Sequence, residues 1–296
     1  MQQHKYNAHF AIVAANIIFG LNIPVTKSLI ANWLTPTGYT FTRMLFGTIV
    51  FWIVGLFLPK EKVMVKDLFV FAIGGFFGFV ATQFLFASAL RFTTPVYFSL
   101  IMSLTPVLVL VLSVLFMKET TTSLKIIGTL LSILGAFLII IQSTKSGLGS
   151  NNLLGIGLSV LSALSYAIYL LVTGNISVKY KPVTVVKYMF FFSLLMILPF
   201  GFTSFSTQKM FSSEVTTVAI MQLSFALLFS TVLAFFLMPI ALSKLKASTV
   251  SIYMNLQPLT ASIVAIVIGQ DTFSWDKPLT AVLVIAGVYL VTGNEK

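Results

Sequence analysis

Ser99, Ser103 and Pro106 are spaced i, i+4 and i+7, which puts them on one face of a helix, and Ser251, Asn255 and Pro258 repeat the pattern about 152 residues later. The inner runs are Met102-Ser103-Leu104-Thr105-Pro106 and Met254-Asn255-Leu256-Gln257-Pro258. Hydroxyl and amide side chains in such a row donate and accept hydrogen bonds without changing charge. That is chemistry for recognising a small polar molecule rather than for breaking bonds. The bland alternative is that the hydroxyls bond back to their own helix. Each proline lacks an N–H and crowds the carbonyl four residues earlier, so a kink and a loosened carbonyl are expected at Met102 and at Met254. The same offset pairs Ser99 with Ser251, Ala89-Leu90 with Ala241-Leu242, Glu119 with Asp271 and Gly135 with Gly287. The chain is an internal duplication.

Further polar and aromatic residues interrupt the apolar runs: Asn16, Asn22, Gln83, Tyr97, Tyr166, Tyr169, Tyr253 and Gln257. An amide is costly in hydrocarbon without a partner, so each must either join helices or meet a ligand. These residues, with Ser99, Ser103, Ser251 and Asn255, form the expected substrate-binding set, and Asn255 and Gln257 make the second half the more polar one. Arg43 belongs with them as a charge set about two turns inside its run. It suits either a substrate carboxylate or the tying together of backbone carbonyls. Pro106 and Pro258 are the expected hinges. Lys27 and Lys187, near run ends, can instead snorkel to a headgroup layer.

The acidic residues Glu61, Asp67, Glu119, Glu214, Asp271, Asp276 and Glu295 all fall at run ends, in connections or at a terminus, and His4 and His9 sit at the N-terminal edge. The sequence shows neither a carboxylate relay across the membrane nor an acid–base pair or ligand cluster within the apolar runs, which argues against an enzyme and against a bound metal. It has no cysteine and no glycine-rich loop that would cradle nucleotide phosphates. No cofactor is expected.

The elements that must position these residues are membrane helices. The chain is 58% hydrophobic and 8% charged, against roughly 25% charged in a soluble domain. Hydropathy places ten spans: 8–29, 36–58, 67–90, 94–117, 123–142, 153–174, 183–203, 218–242, 247–268 and 277–293. The first of these reads as an uncleaved helix rather than a signal peptide. The net charge of +11 comes from short basic clusters between spans, a topology signal and not a nucleic-acid surface. With Lys5 inside, the clusters at Lys60 to Lys66, Lys118, Lys125, Lys179, Lys181, Lys244 and Lys246 share its side, so the positive-inside rule sets both termini in the cytoplasm. Five spans per half force the halves into opposite orientations. The expected fold is therefore all-α and integral to the membrane, with ten transmembrane helices as two inverted five-helix repeats, 1–146 and 147–296. Gly74 with Gly78, and Gly155 with Ser159, Ala163 and Ala167, are small-residue faces that suit close packing within a monomer or across a homodimer.

Phe19-Gly20, Thr42-Arg43-Met44, Ala89-Leu90-Arg91-Phe92 and Leu104-Thr105-Pro106 followed by Lys118-Glu119 occur in this order across the first half. With the duplication, this series resembles the EamA-type branch of the drug/metabolite transporter superfamily. The resemblance implies that spans one, three, four, six, eight and nine surround a central cavity, and that the halves rock to expose it alternately. It also implies small metabolites such as amino acids as substrates, moved outward. Lys118-Glu119 is answered only by Gln270-Asp271 in the second half, and Arg43 has no basic counterpart there. The expected function is a secondary transporter, an exporter or facilitator of small polar metabolites, in a bacterial inner membrane with lipid as its surroundings. The alternatives are a multidrug exporter or, in a different class, a channel.

Overall fold

The computed structural model describes residues 2–117, 151–205 and 208–273 continuously, with 122–124, 126–128, 130–131, 134, 138, 275, 278–279, 282–283, 285–286 and 289–290. Among the described residues there is no strand, and eight helices are long and apolar enough to cross a membrane. They are α1 (Gln2–Asn32), α2 (Pro36–Leu56), α3 (Val65–Phe92), α4 (Pro95–Phe116), α5 (Asn151–Lys179), α6 (Pro182–Phe205), α7 (Thr217–Leu242) and α8 (Ala247–Val267). Every described residue from 123 to 138 and from 278 to 290 is helical as well. Those segments belong to the two remaining expected spans, most of which lies outside the described residues, as does Lys118-Glu119.

Local chemistry sets the helix starts. Thr35, Thr94 and Thr216 cap α2, α4 and α7 by accepting from Gly38 N, Tyr97 N and Ala219 N at 3.1, 3.4 and 3.2 Å. Pro36 and Pro95 occupy the first turns of α2 and α4, where a missing N–H costs nothing.

Both expected kinks are present. Helix α4 breaks into Pro95–Met102 and Thr105–Met117, with Ser103 and Leu104 in a turn between them. The carbonyl of Met102, which Pro106 leaves without an N–H donor, accepts from Thr105 Oγ1 at 2.6 Å. In α8 the chain tightens into a 3₁₀ turn over Tyr253–Asn255 before Leu256–Val267 resumes.

Two further irregularities answer each other across the duplication. Wide π-helical turns occupy Phe76–Ala81 in α3 and Ala226–Ala234 in α7. A threonine marks each: Thr82 Oγ1 donates to Phe77 O at 2.6 Å and Thr231 Oγ1 to Ala226 O at 2.8 Å, both five residues back. Such turns re-aim side chains and recur at functional sites.

Packing follows the same pseudo-symmetry. α1 packs on α7 and α8, while α5 makes the equivalent contacts with α3 and α4, and α2 lies along α6. The small-residue faces serve these internal contacts. A Cβ on Gly78 would stand 2.3 Å from the ring of Tyr169, and one on Gly155 would stand 2.9 Å from the backbone N of Thr93. Where α2, α3, α6 and α7 meet, Phe79, Phe190 and Phe235 form an aromatic cluster with ring centroids 4.4 to 5.7 Å apart. Phe235 also meets the ring of Phe19 edge-on at 5.4 Å.

Candidate functional site

A cavity partly open to its surroundings lies among the broken helices. Its polar lining is Asn22 of α1, Thr82 and Gln83 of α3, Ser162 and Tyr166 of α5 and Gln257 of α8; Phe19, Ile23, Phe86, Phe98, Met102 and Met254 complete it. Most of these residues lie near the middles of their helices, Phe98 in the first turn of α4 excepted. The irregular backbone explains the placement. Thr82 and Gln83 follow the π turn of α3, Met102 is the last residue before the break in α4, and Gln257 follows the 3₁₀ turn of α8.

Of the residues expected at a substrate site, Asn22, Gln83, Tyr166 and Gln257 line this cavity. Asn16 stands one hydrogen bond behind: it accepts from Gln257 Nε2 at 2.8 Å and donates to Ile12 O at 2.9 Å. Tyr169, fully buried, stacks beside Tyr166 at 5.4 Å between centroids. The hydroxyls of Ser99, Ser103 and Ser251 donate to carbonyls three residues back, of Val96, Leu100 and Ser248. Tyr97 packs in a separate apolar cluster with Val96, Leu100 and Ile156. Tyr253 Oη is 2.7 Å from His9 Nδ1, and Asn255 lies beside the cavity-lining Met254, its Oδ1 buried without a partner.

Arg43 is fully buried in α2. It is tied to side-chain oxygens and to no backbone carbonyl, against the second of the two expected roles. Its Nε donates to Thr231 Oγ1 at 2.7 Å and one terminal nitrogen to Ser230 Oγ at 3.0 Å. The other terminal nitrogen donates to Gln83 Oε1 and, at 3.5 Å, to Tyr39 Oη. Tyr39 Oη in turn lies 2.8 Å from Thr26 Oγ1 and accepts from Asn22 Nδ2 at 3.2 Å. Two cavity-lining amides thus rest on one polar network centred on a guanidinium. Helix α7 reaches the site through this network, through Phe235, whose ring meets that of the cavity-lining Phe19 at 5.4 Å, and through Met238, whose sulfur accepts from Tyr166 Oη at 3.6 Å. So five of the six spans that the resemblance assigned to the cavity supply its lining, and the sixth supports it from behind.

The sequence reading missed Thr82, Ser162, Ser230, Thr231 and Tyr39. Ser162 Oγ donates across helices to Thr82 O at 3.0 Å, an interhelical bond that no local spacing announces. Thr173 and Ser177 were missed as well; with the expected Tyr169 they form a polar row on α5, where Tyr169 Oη, Thr173 Oγ1 and Ser177 Oγ are buried without a hydrogen-bond partner at i, i+4 and i+8.

The architecture has a match among known families. The model of the EamA-like transporter family matches twice, over residues 7–141 and 153–293. The chain belongs to the EamA-like transporter family. It is a multi-pass membrane protein with two repeats, and its family's members are transporters, not enzymes. An uncharacterized transporter of Archaeoglobus fulgidus is 28% identical over 247 residues, 83% of this chain and 82% of the relative. The uncharacterized transporter YetK of Bacillus subtilis is 25% identical over 299 residues, 99% of this chain and 88% of the relative. A crystal structure 15% identical in sequence superposes with a TM-score of 0.65, covering 95% of this chain and 96% of that one. That last likeness concerns the fold alone. Within the family frame, the cavity between the repeats is the candidate site.

Proposed function

We propose that this EamA-family protein is a secondary carrier of small polar metabolites, amino acids among them, working by alternating access and serving as an exporter or facilitator. The observation that carries this reading is the cavity whose lining comes from both repeats: Asn22, Thr82 and Gln83 from the first, Ser162, Tyr166 and Gln257 from the second. Inverted repeats that share a site are the arrangement in which rocking one half on the other exposes that site to each face in turn. The broken backbones before Pro106 and Pro258 supply the places where α4 and α8 can bend. The cavity's amide, hydroxyl and aromatic lining suits a polar head on a compact apolar body. The basic clusters orient the protein with both termini in the cytoplasm of a bacterial inner membrane.

Counterflow tests the proposal. Proteoliposomes preloaded with a defined mixture of amino acids and small metabolites should take up at least one labelled member against its own gradient. No counterflow from any member would overturn the carrier reading.

A further inference from the structure

Two cavity-lining glutamines, one from each repeat, have their amide orientations dictated by what stands behind them. A guanidinium can only donate, so Gln83 must turn Oε1 toward Arg43, which leaves Nε2 for the cavity. The second chain starts from a backbone carbonyl, which can only accept. Asn16 must turn Nδ2 toward Ile12 O, so its Oδ1 faces Gln257. Gln257 meets that oxygen with Nε2 and leaves Oε1 for the cavity. The cavity therefore has a donor at Gln83 and an acceptor at Gln257, and neither amide can flip without breaking the bond behind it.

Charge adds to this polarity. Arg43 is fully buried, and the groups that hold it, Thr231, Ser230, Gln83 and Tyr39, are neutral. Among the described residues the one acid within a span is Asp67, in the first turn of α3, where it binds Lys179 and Tyr180. A guanidinium in low dielectric without a carboxylate attracts an anion strongly. The Gln83 amide, with its oxygen on the cation, passes that polarisation to the cavity.

Resting on the carrier reading, we infer that the cavity is a polarised site: Gln83, backed by Arg43, takes an anionic group of the substrate, and Gln257 takes a hydrogen-bond donor. The substrate class is a carboxylate or comparably anionic compound, with a zwitterion satisfying both poles. Arg43 is a positioning residue that acts through Gln83.

Three probes of nearly the same shape separate the poles: N-acetyl-leucine carries only the carboxylate, leucinamide only the ammonium, and leucine both. Their apparent affinities are read from the concentration dependence of thermal unfolding of the purified full chain in detergent. N-acetyl-leucine should bind at least tenfold more tightly than leucinamide, and leucine at least as tightly as N-acetyl-leucine. Gln83→Glu gives Arg43 a carboxylate of its own and removes the cavity donor, so that preference should fall at least tenfold. Arg43→Gln should do the same. If Arg43 is only a packing residue, Arg43→Gln leaves the preference as it is; that result, or an unchanged preference in Gln83→Glu, overturns the inference. Equal affinities, preference for leucinamide or no binding of any probe overturn it too. Counterflow reads the carrier proposal separately: binding with the expected preference but no counterflow keeps the polarised site and removes the carrier.

Discussion

Gln257 Nε2 donates to Asn16 Oδ1 over 2.8 Å, and both side chains are buried. The bond crosses from α8 to α1 and so from one repeat to the other, at the wall of the cavity. Gln257→Leu leaves Asn16 Oδ1 buried without a donor, at a cost of about 1–3 kcal/mol. Thermal unfolding should register that loss, and counterflow should fall more than the loss of folded protein explains. An unchanged rate per folded molecule would remove Gln257 from the site.

Thr231 Oγ1 accepts from Arg43 Nε at 2.7 Å inside the π turn of α7. Thr231→Val keeps the shape and removes the oxygen, and a hydrogen bond to a charged group is worth about 1.5–3 kcal/mol. The variant should lose stability by that amount, read as a lower unfolding temperature, while Thr231→Ser, which keeps an oxygen, should recover most of it.

Gly78 lies so close to α5 that a Cβ would enter the ring of Tyr169, at 2.3 Å from Cδ2. Gly78→Ala should push Tyr169 against its neighbour Tyr166, at a cost of about 1–3 kcal/mol for overpacking. Thermal unfolding checks the magnitude. Gly157, whose added Cβ meets nothing within 4 Å, is the control position, and Gly157→Ala should be neutral or slightly stabilising.

Lys27 Nζ caps the end of α3 by donating to Leu90 O at 2.6 Å and Thr93 O at 3.1 Å. Beside Lys27 on α1, Pro24 O and Ser28 Oγ accept from Gln270 Nε2 at 3.0 and 2.9 Å. α1 is thus fastened to the segments after α3 and α8 at the end holding the α1–α2 connection. Lys27→Met combined with Gln270→Leu should loosen that end. Hydrogen exchange of the backbone amides at residues 90–94 should accelerate, with the middle of α5 unaffected.

The duplicated prolines were legible because a missing N–H acts wherever it falls, and both breaks occur just before Pro106 and Pro258. Asn22, Gln83, Tyr166 and Gln257 stood out as polar or amphipathic groups in apolar runs, and the cavity brings them together. Ser99, Ser103 and Ser251 stood out equally, yet their hydroxyls bond within their own helices. Nothing in spacing separates these outcomes for serine, since the local carbonyl is always within reach. The π turns were invisible because they depend on the packing of α3 and α7, and with them went Thr82, Ser230 and Thr231. Phe86 and Phe98, rings 4.9 Å apart at the cavity, could not be told from the rest of the 29 phenylalanines.

The chain has no native cysteine, so a single introduced one reports without background. Ser162 lines the cavity, and Ser162→Cys places a thiol there with little change of shape. In sealed, oriented vesicles, alternating access predicts that a small membrane-impermeant methanethiosulfonate reagent modifies this introduced thiol whether it is applied from one face or the other, and that a transported substrate changes both rates. Modification from one face only, or from neither, would contradict a central site exposed to each side in turn.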